Sequence, residues 1–140
     1  MGNQTITLDN GDTYKGDVVN GKKHGKGRYY YRDGSIYEGE YKDDVKCGKG
    51  RYKLKNGNKY EGNFENDAFE GKGVFTIKGG IRYEGDFVND NFEGHGVLKI
   101  KGQGTYEGEF KNGRKNGHGV YTQNDGKKIE GEWIDDQLIK

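Results

Sequence analysis

Hydrophobic and polar positions alternate along most of this chain of 140 residues. In the segment 106–110 (YEGEF), the first, third and fifth positions are aromatic or glycine, and the two positions between them are acidic. A second kind of segment, such as 71–77 (GKGVFTI), alternates in the same way. A period of two residues is typical of strands with one packed face and one wet face. The pattern therefore predicts many short β-strands with glycine and aromatic rings on one face.

Both kinds of segment recur every 23 residues, with no insertion or deletion. The motif Tyr-x-Gly begins the first kind at Tyr14, Tyr37, Tyr60, Tyr83 and Tyr106, and Ile129-Glu130-Gly131 continues the series. A Gly-x-Gly pair follows about nine residues after the glycine of each full motif. A fixed period of this length indicates a tandem array of one structural unit.

Turn-forming pairs separate the predicted strands. We expect tight two-residue hairpin turns at the pairs Asn10-Gly11, Asp33-Gly34 and Asn56-Gly57, because such pairs supply the positive φ that these turns need. The other connection, around Asn20-Gly21 and Asn66-Asp67, is expected to be slightly longer. The sequence thus predicts an all-β meander of about twelve short antiparallel strands.

Three stretches, YEGEYKDD, GKGRYKLKNGNKYEGNFEND and YEGDFVNDNFEGHGV, resemble MORN repeats (membrane occupation and recognition nexus). The resemblance extends from residue 2 to about residue 137 and implies an elongated, curved, single-layer antiparallel sheet of tandem hairpins, without catalytic activity. It predicts one array over residues 1–140. The repeats start at residues 14, 37, 60, 83 and 106, with a partial repeat at 129 and a partial N-terminal unit at 1–13. Val18 and Ile129 replace repeat aromatics in the terminal units.

Composition narrows the class of protein further. The chain has 27 glycines, no proline and only 29% hydrophobic residues, which makes a thick core improbable, whereas 11 Tyr, 6 Phe and one Trp argue against disorder. A formal net charge of +1 gives no field to attract nucleic acid. The single cysteine, Cys47, and the lack of an apolar leader predict a cytoplasmic address. The family resemblance adds cytoskeletal or ciliary assemblies as settings.

The aromatic face is the first candidate site. Its rings could lie over neighbouring glycines and form a thin core by themselves. Alternatively, since a single-layer sheet has no second layer to cover it, we expect a groove for a helix or extended segment of a partner protein. Phe69 and Phe92 have the same parity and could either pack over the groove edge or contact the partner. The groove hypothesis assigns to the site Tyr37, Tyr41, Tyr60, Phe64, Tyr83, Phe87, Tyr106, Phe110 and Trp133.

The opposite face alternates acidic and basic strands, but its N-terminal half has a surplus of basic residues. This surplus could bind anionic lipid headgroups and make the protein a peripheral membrane tether, or it could be an ordinary solvated and neutralised face. The possible basic patch consists of Lys22, Lys23, Lys26, Arg28, Lys46, Lys49, Arg51, Lys53 and Lys55.

No catalytic, cofactor or metal site is predicted. The three histidines, His24, His95 and His118, lie in different repeats, and no helix follows the Gly-x-Gly pairs to make a phosphate loop. We therefore expect a non-enzymatic scaffold rather than an enzyme. Its last full strand, 129–133, is predicted to be an open edge with apolar residues Leu138 and Ile139 after it, which favours a homodimer or a capping partner there.

Overall fold

The computed structural model describes residues 3–140, so Met1 and Gly2 of the predicted N-terminal unit lie outside the described residues. Over residues 3–140 the secondary structure consists of thirteen β-strands and contains no helix. Within each of the two units described below, neighbouring strands follow one another in chain order and are antiparallel. The predicted all-β antiparallel meander is confirmed, with one short strand more than expected.

The chain divides into two compact units, residues 1–68 and 69–140, and the prediction of one array over residues 1–140 stays a prediction. The first unit contains β1 (Asn3–Thr7), β2 (Thr13–Val19), β3 (Lys22–Tyr30), β4 (Ile36–Lys42), β5 (Val45–Lys53) and β6 (Lys59–Glu65). The second contains β7 (Ala68–Ile77, whose first residue belongs to the first unit), β8 (Ile81–Val88), β9 (Asn91–Ile100), β10 (Gly104–Lys111), β11 (Arg114–Gln123), β12 (Lys128–Ile134) and β13 (Gln137–Leu138).

A row of paired glycines makes room for the tyrosines within each unit. In the first unit, Gly39 of β4 stands opposite Gly50 of β5, and Gly50 stands opposite Gly62 of β6. The Tyr37 ring lies along this row, because a Cβ added at Gly39 or Gly50 would meet the Tyr37 hydroxyl at 2.6 Å. The hydroxyl of Tyr37 donates a hydrogen bond to the Glu40 carbonyl oxygen at 2.9 Å. Each strand pair thus provides a flat glycine surface on which one tyrosine ring packs.

The same arrangement recurs in every repeat. Tyr14, Tyr60, Tyr83 and Tyr106 each donate a hydroxyl hydrogen bond to the backbone carbonyl three residues later, at 2.7–3.0 Å. Each unit then adds a second ring beside its tyrosines. Tyr37 is flanked by the rings of Tyr41 at 5.2 Å and Phe64 at 5.0 Å, both nearly perpendicular to it. Edge-to-face packing of this kind forms a core one ring thick.

The two kinds of turn differ in length from the prediction. Asn20 and Gly21 form a two-residue turn between β2 and β3, with φ of 53° and 77°. The Asn10-Gly11 connection is longer, with five residues between β1 and β2 and a positive φ only at Gly11. There the Gly11 amide donates to the Leu8 carbonyl at 3.1 Å, as in a turn followed by a glycine bulge. The predicted assignment of short and long turns is therefore wrong, and the two are exchanged.

In four of the two-residue turns, an aspartate at the second turn position bonds to the preceding repeat; the four are Asp44, Asp67, Asp90 and Asp136. Asp90 has a φ of 72°; its carboxylate accepts a hydrogen bond from the Phe69 amide at 2.8 Å, and its own amide donates to the Phe69 carbonyl at 3.1 Å. Asp67 makes the same two bonds with Lys46 at 2.8 and 3.1 Å. At the equivalent position Gly113 retains only the backbone bond, to the Phe92 carbonyl.

Asp90→Ala is expected to lower the free energy of unfolding by about 2 kcal/mol, because alanine loses the side-chain hydrogen bond and is strained at positive φ. Asp90→Gly removes the hydrogen bond without the strain, so we expect it to cost about half as much. Urea unfolding of both variants checks this prediction. Equal losses of stability for the alanine and glycine variants would show that the positive φ at this turn does not strain alanine.

Candidate interaction site

One column of side chains covers the buried tyrosines. Its members are 23 residues apart, on the strand that follows each two-residue turn, and they are Lys23, Lys46, Phe69, Phe92 and Lys115. Phe92 stacks on Tyr83 with ring centroids 3.8 Å apart and planes within 6°. In the first unit Lys46 takes the equivalent place, with Nζ 5.3 Å from the centroid of the Tyr37 ring. A lysine and a phenylalanine can exchange here because both present an attractive partner to a ring face.

This covering changes the interpretation of the predicted groove residues. The structure brings them together in rows within each unit, and all nine are buried. Their exposed fractions run from 0% at Tyr60 to 9% at Trp133. The expectation that nothing in the chain covers these rings is therefore wrong. That a partner docks on this face stays a prediction. Such a partner would contact the rings of this face that remain accessible. The buried nine are Tyr37, Tyr41, Tyr60, Phe64, Tyr83, Phe87, Tyr106, Phe110 and Trp133.

Three tyrosines of the first unit stay half-exposed on the aromatic face. Tyr29 and Tyr31 have ring centroids 4.5 Å apart, and the Tyr31 and Tyr52 centroids are 5.7 Å apart. Lys46 Nζ lies 5.3 Å from the Tyr31 ring and 5.5 Å from the Tyr52 ring, and Lys23 Nζ lies 5.4 Å from the Tyr29 ring. We call these five residues the tyrosine–lysine surface. The sequence carried a signal for Tyr31 that the prediction left unused, since it follows Tyr29 by two residues.

The tyrosines of this surface are neutral at physiological pH. Burial, followed by the hydrogen bond to Asp12, raises the pKa of Tyr29 to about 12. Burial likewise raises the pKa of Tyr31 to about 12. Asp12 accepts hydrogen bonds from the Tyr29 hydroxyl and the Arg32 amide, both at 2.7 Å, and these bonds hold its pKa below the ordinary value. The surface itself therefore contributes two cations, Lys23 and Lys46, and the ionised Asp12 borders it at Tyr29.

The second unit presents a different chemistry on its aromatic face. Phe69 and Phe75 are half-exposed, and their ring centroids are 6.0 Å apart. The side chain of Leu98 is half-exposed as well. Phe69 also packs on Phe87 at 5.9 Å, and Phe92 packs on Phe110 at 5.8 Å. The packing alternative for Phe69 and Phe92 is confirmed, and the face of this unit is apolar in this region.

The predicted basic patch does not lie on one face. Lys23 and Lys46 belong to the aromatic face, because they stand opposite Val18 and Tyr41, which are buried there. The loop between β5 and β6 carries Lys55. On the opposite face, Lys26, Arg28 and Arg51 stand opposite glutamates, whereas Lys49 and Lys53 do not. The patch residues on that face are Lys22, Lys26, Arg28, Lys49, Arg51 and Lys53.

Ion pairs neutralise part of that opposite face. Arg28 pairs with Glu38 at 2.7 Å, and Arg51 lies 3.4 Å from Glu61. The side chains of both pairs are about half exposed or more, where such pairs contribute little to stability. The predicted alternation of acidic and basic strands is thus present, and a continuous cationic surface is not formed by the patch residues.

A shallow open depression on the same face of the second unit holds two histidines. It is lined by His95, His118, Glu107 and Glu109, among others. Both ring nitrogens of His118 face carboxylates, Nδ1 at 3.0 Å from Glu132 and Nε2 at 3.0 Å from Glu130. Among the described residues, no group of three or more His, Cys, Asp or Glu side chains could hold a metal ion.

His118 is expected to titrate above its ordinary pKa of 6.5, because hydrogen bonds to Glu132 and Glu130 raise its pKa. Since the folded-state pKa is raised, the stabilisation is fully present below 6.5 and is lost as pH rises through the raised value. An NMR titration of the His118 ring measures this midpoint. Glu130→Gln with Glu132→Gln should lower it, and an unchanged midpoint would show that the two carboxylates do not set it.

The C-terminal edge is partly covered by the chain itself. Leu138 of β13 pairs with Trp133 of β12, the Ile139 amide donates to the Glu132 carbonyl, and the Glu132 amide donates to the Lys140 carbonyl, both at 2.8 Å. The expectation of a fully open apolar edge is therefore wrong, although the side chains of Leu138 and Ile139 remain about half exposed. A homodimer or a partner cap at this end stays a prediction.

Tandem hairpins with a one-ring core define a repeat protein whose units are single-layer β-sheet. The family model described as "MORN repeat" matches residues 14–36, 37–59, 60–82, 83–105 and 106–128, so this chain belongs to the MORN-repeat family. MORN repeats form a non-catalytic family of scaffolds for protein or membrane interaction. Within residues 3–140, no helix has the length and apolar character needed to cross a bilayer.

The solved structures that match the chain include the following two. The first is the SAS-4 (dCPAP) TCP domain of Drosophila melanogaster in complex with a proline-rich motif of Ana2 (dSTIL), at 14% identity, with a TM-score of 0.51 over 93% of this chain and 83% of that chain. The second is virginiamycin B lyase from Staphylococcus aureus, at 17% identity over 98% of this chain and 43% of that chain. Its TM-score of 0.22 is too low to indicate a shared fold. The first likeness shows a similar fold. The comparison with curated proteins finds no match.

Proposed function

We propose that this protein is a non-catalytic scaffold that docks an extended segment of a partner protein on the tyrosine–lysine surface. The observation that carries the proposal is the exposure of Tyr29, Tyr31 and Tyr52 above a buried row of rings. Rings held in this way are already fixed before binding, so little side-chain entropy is lost when a partner covers them. Tyrosine is also enriched among the residues that dominate binding energy at protein interfaces.

An extended segment suits this surface better than a globular partner. The accessible rings lie side by side across the strands: Tyr29 belongs to β3, Tyr52 belongs to β5, and Tyr31, which follows β3, lies between them. They can therefore be covered by a narrow chain that runs across the strands. The SAS-4 domain, which has a similar fold, was solved with a proline-rich motif bound, and this supports an extended ligand for the present chain as well. We place the scaffold in a cytoplasmic assembly, cytoskeletal or ciliary in kind.

A membrane tether is the second candidate. Its support is the set of exposed lysines on the opposite face of the first unit, such as Lys26, Lys49 and Lys53. Anionic headgroups attract such residues by about 1 kcal/mol each near the surface. The division of the patch between two faces and the pairing of its arginines weaken this candidate.

Selection of displayed random peptides on the full chain tests the docking proposal. For the recovered segments, Tyr31→Ser with Tyr52→Ser is expected to weaken binding by about tenfold or more, as for rings that anchor an interface. The matched control, Lys49→Glu with Lys53→Glu, changes the opposite face and should change binding by less than about twofold. Thermal melts of each variant separate loss of binding from loss of fold.

Vesicles with and without phosphatidylserine test the second candidate on the same variants. If the control charge reversal abolishes binding to anionic vesicles, and no selected peptide depends on Tyr31 and Tyr52, the docking proposal is wrong. The membrane tether then replaces it.

A further inference from the structure

The lysines of the tyrosine–lysine surface have a fixed spacing. Lys23 and Lys46 occupy equivalent positions on β3 and β5, with β4 between them. Neighbouring strands lie about 4.8 Å apart, so one repeat advances roughly 9.6 Å across the sheet. A ligand that runs across the strands therefore meets equivalent cations at this interval.

Only one regular backbone conformation repeats at that interval. A polyproline II helix has three residues per turn and a rise of about 3.1 Å, so its same-face side chains are roughly 9.3 Å apart. Same-face side chains of a β-strand are about 6.8 Å apart, and two such steps overshoot. An α-helix presents the same face about every 10.5 Å, at i and i+7. Its mismatch with the repeat of about 9.6 Å is therefore larger than that of a polyproline II helix. The repeat of this sheet thus matches one polyproline II turn.

The chemistry of the surface selects the side chains of such a ligand. Its tyrosine rings are uncharged and half-exposed, which suits the flat faces of proline rings. Its cations lie over the rings, with Lys46 Nζ within 5.5 Å of three ring centroids. Lys23 has one weak carboxylate neighbour, Asp44, at 3.5 Å, and that carboxylate is about half exposed.

We propose that the occupant of the tyrosine–lysine surface is a polyproline II segment that crosses the strands and carries a carboxylate at every third residue. The carboxylates pair with Lys23 and Lys46, and the intervening prolines lie against Tyr29, Tyr31 and Tyr52. The inference rests on the proposed docking function and names its ligand. It applies to the first unit, because the second has phenylalanine at two of its three equivalent positions, Phe69 and Phe92, which leaves Lys115 without a second lysine one repeat away.

Synthetic twelve-residue peptides test the spacing directly on the full chain. A repeat of Pro-Pro-Glu is expected to bind about fivefold more tightly than a peptide of the same composition whose glutamates alternate between spacings of two and four residues. Lys23→Met with Lys46→Met keeps the apolar contact with the rings and should reduce binding of the regular peptide by about five- to tenfold. Binding of a neutral Pro-Pro-Gln repeat should stay unchanged. The matched control is Lys49→Met with Lys53→Met on the opposite face.

A charge exchange guards against misfolded variants. Lys23→Glu with Lys46→Glu is expected to lose the Pro-Pro-Glu repeat and to gain a Pro-Pro-Lys repeat. Equal binding of the regular and irregular peptides, or an equal effect of the control lysines, would overturn the inference. If segments selected from a library still require Tyr31 and Tyr52 in that case, the docking function stands and only the ligand is wrong. If they do not require them, both proposals fail.

Discussion

Gly39→Ala is expected to destabilise the fold by about 3 kcal/mol or more, a large part of the stability of a small protein. The added Cβ would lie 2.6 Å from the Gly50 Cα, 2.6 Å from the Tyr37 hydroxyl and 2.7 Å from the Lys49 carbonyl oxygen. Two of these atoms are backbone and cannot move without breaking the pairing of β4 with β5. Chemical denaturation followed by tyrosine fluorescence measures the loss.

The control for this prediction is Gly21→Ala. A Cβ at Gly21 meets no atom within 4 Å, and the only cost comes from its φ of 77°, which we expect to be about 1 kcal/mol. If Gly39→Ala lowered the free energy of unfolding no more than Gly21→Ala does, the paired glycines would not be the surface that positions the tyrosines.

Tyr37→Ala is the second large effect, and we expect it to cost about 3–5 kcal/mol. The ring is fully buried and contacts Tyr41 and Phe64, so its loss opens a cavity in a core that has no second layer. Tyr37→Phe keeps the ring and removes the hydrogen bond to the Glu40 carbonyl, for an expected loss of about 1 kcal/mol. Urea unfolding of the two variants separates the ring from its hydroxyl.

Tyr30→Ala is the comparison for a tyrosine outside this row. Tyr30 is half-exposed and contacts the charged groups of Lys15 and Arg28. We expect a loss below about 1 kcal/mol, as for a surface position. Similar losses at Tyr30 and Tyr37 would contradict the one-ring core.

The sequence predicts the strands, their order and their faces well, since a period of two residues and a repeat of 23 residues leave few other arrangements. The turns were harder to predict because the two connections of the first repeat contain the same dipeptide, Asn-Gly, at residues 10–11 and 20–21. What distinguishes them is the aspartate that takes the second position in later repeats, such as Asp44. Its carboxylate bonds the Lys23 amide of the preceding repeat, a contact between residues 21 apart that a local pattern cannot show.

The predicted groove residues share one face within each unit, but they are buried instead of accessible. The sequence shows that Tyr37 and Phe64 share a face, but not that Lys46 lies over the Tyr37 ring. Lysine is usually expected to point into the solvent, but in the structure Lys46 lies over the Tyr37 ring, in the place that Phe92 takes over Tyr83 in the second unit. The accessible surface therefore moves from the repeat tyrosines to Tyr31 and its neighbours.

Docking on the tyrosine–lysine surface requires a partner segment that contacts the half-exposed rings and leaves the buried row intact. NMR spectra of the chain with ring-labelled tyrosine, recorded during titration with a segment from the peptide selection, measure this most directly. We predict that the ring signals of Tyr29, Tyr31 and Tyr52 shift in proportion to binding, while those of Tyr83 and Tyr106 stay in place. Saturable binding that leaves the signals of Tyr29, Tyr31 and Tyr52 unmoved would contradict the account.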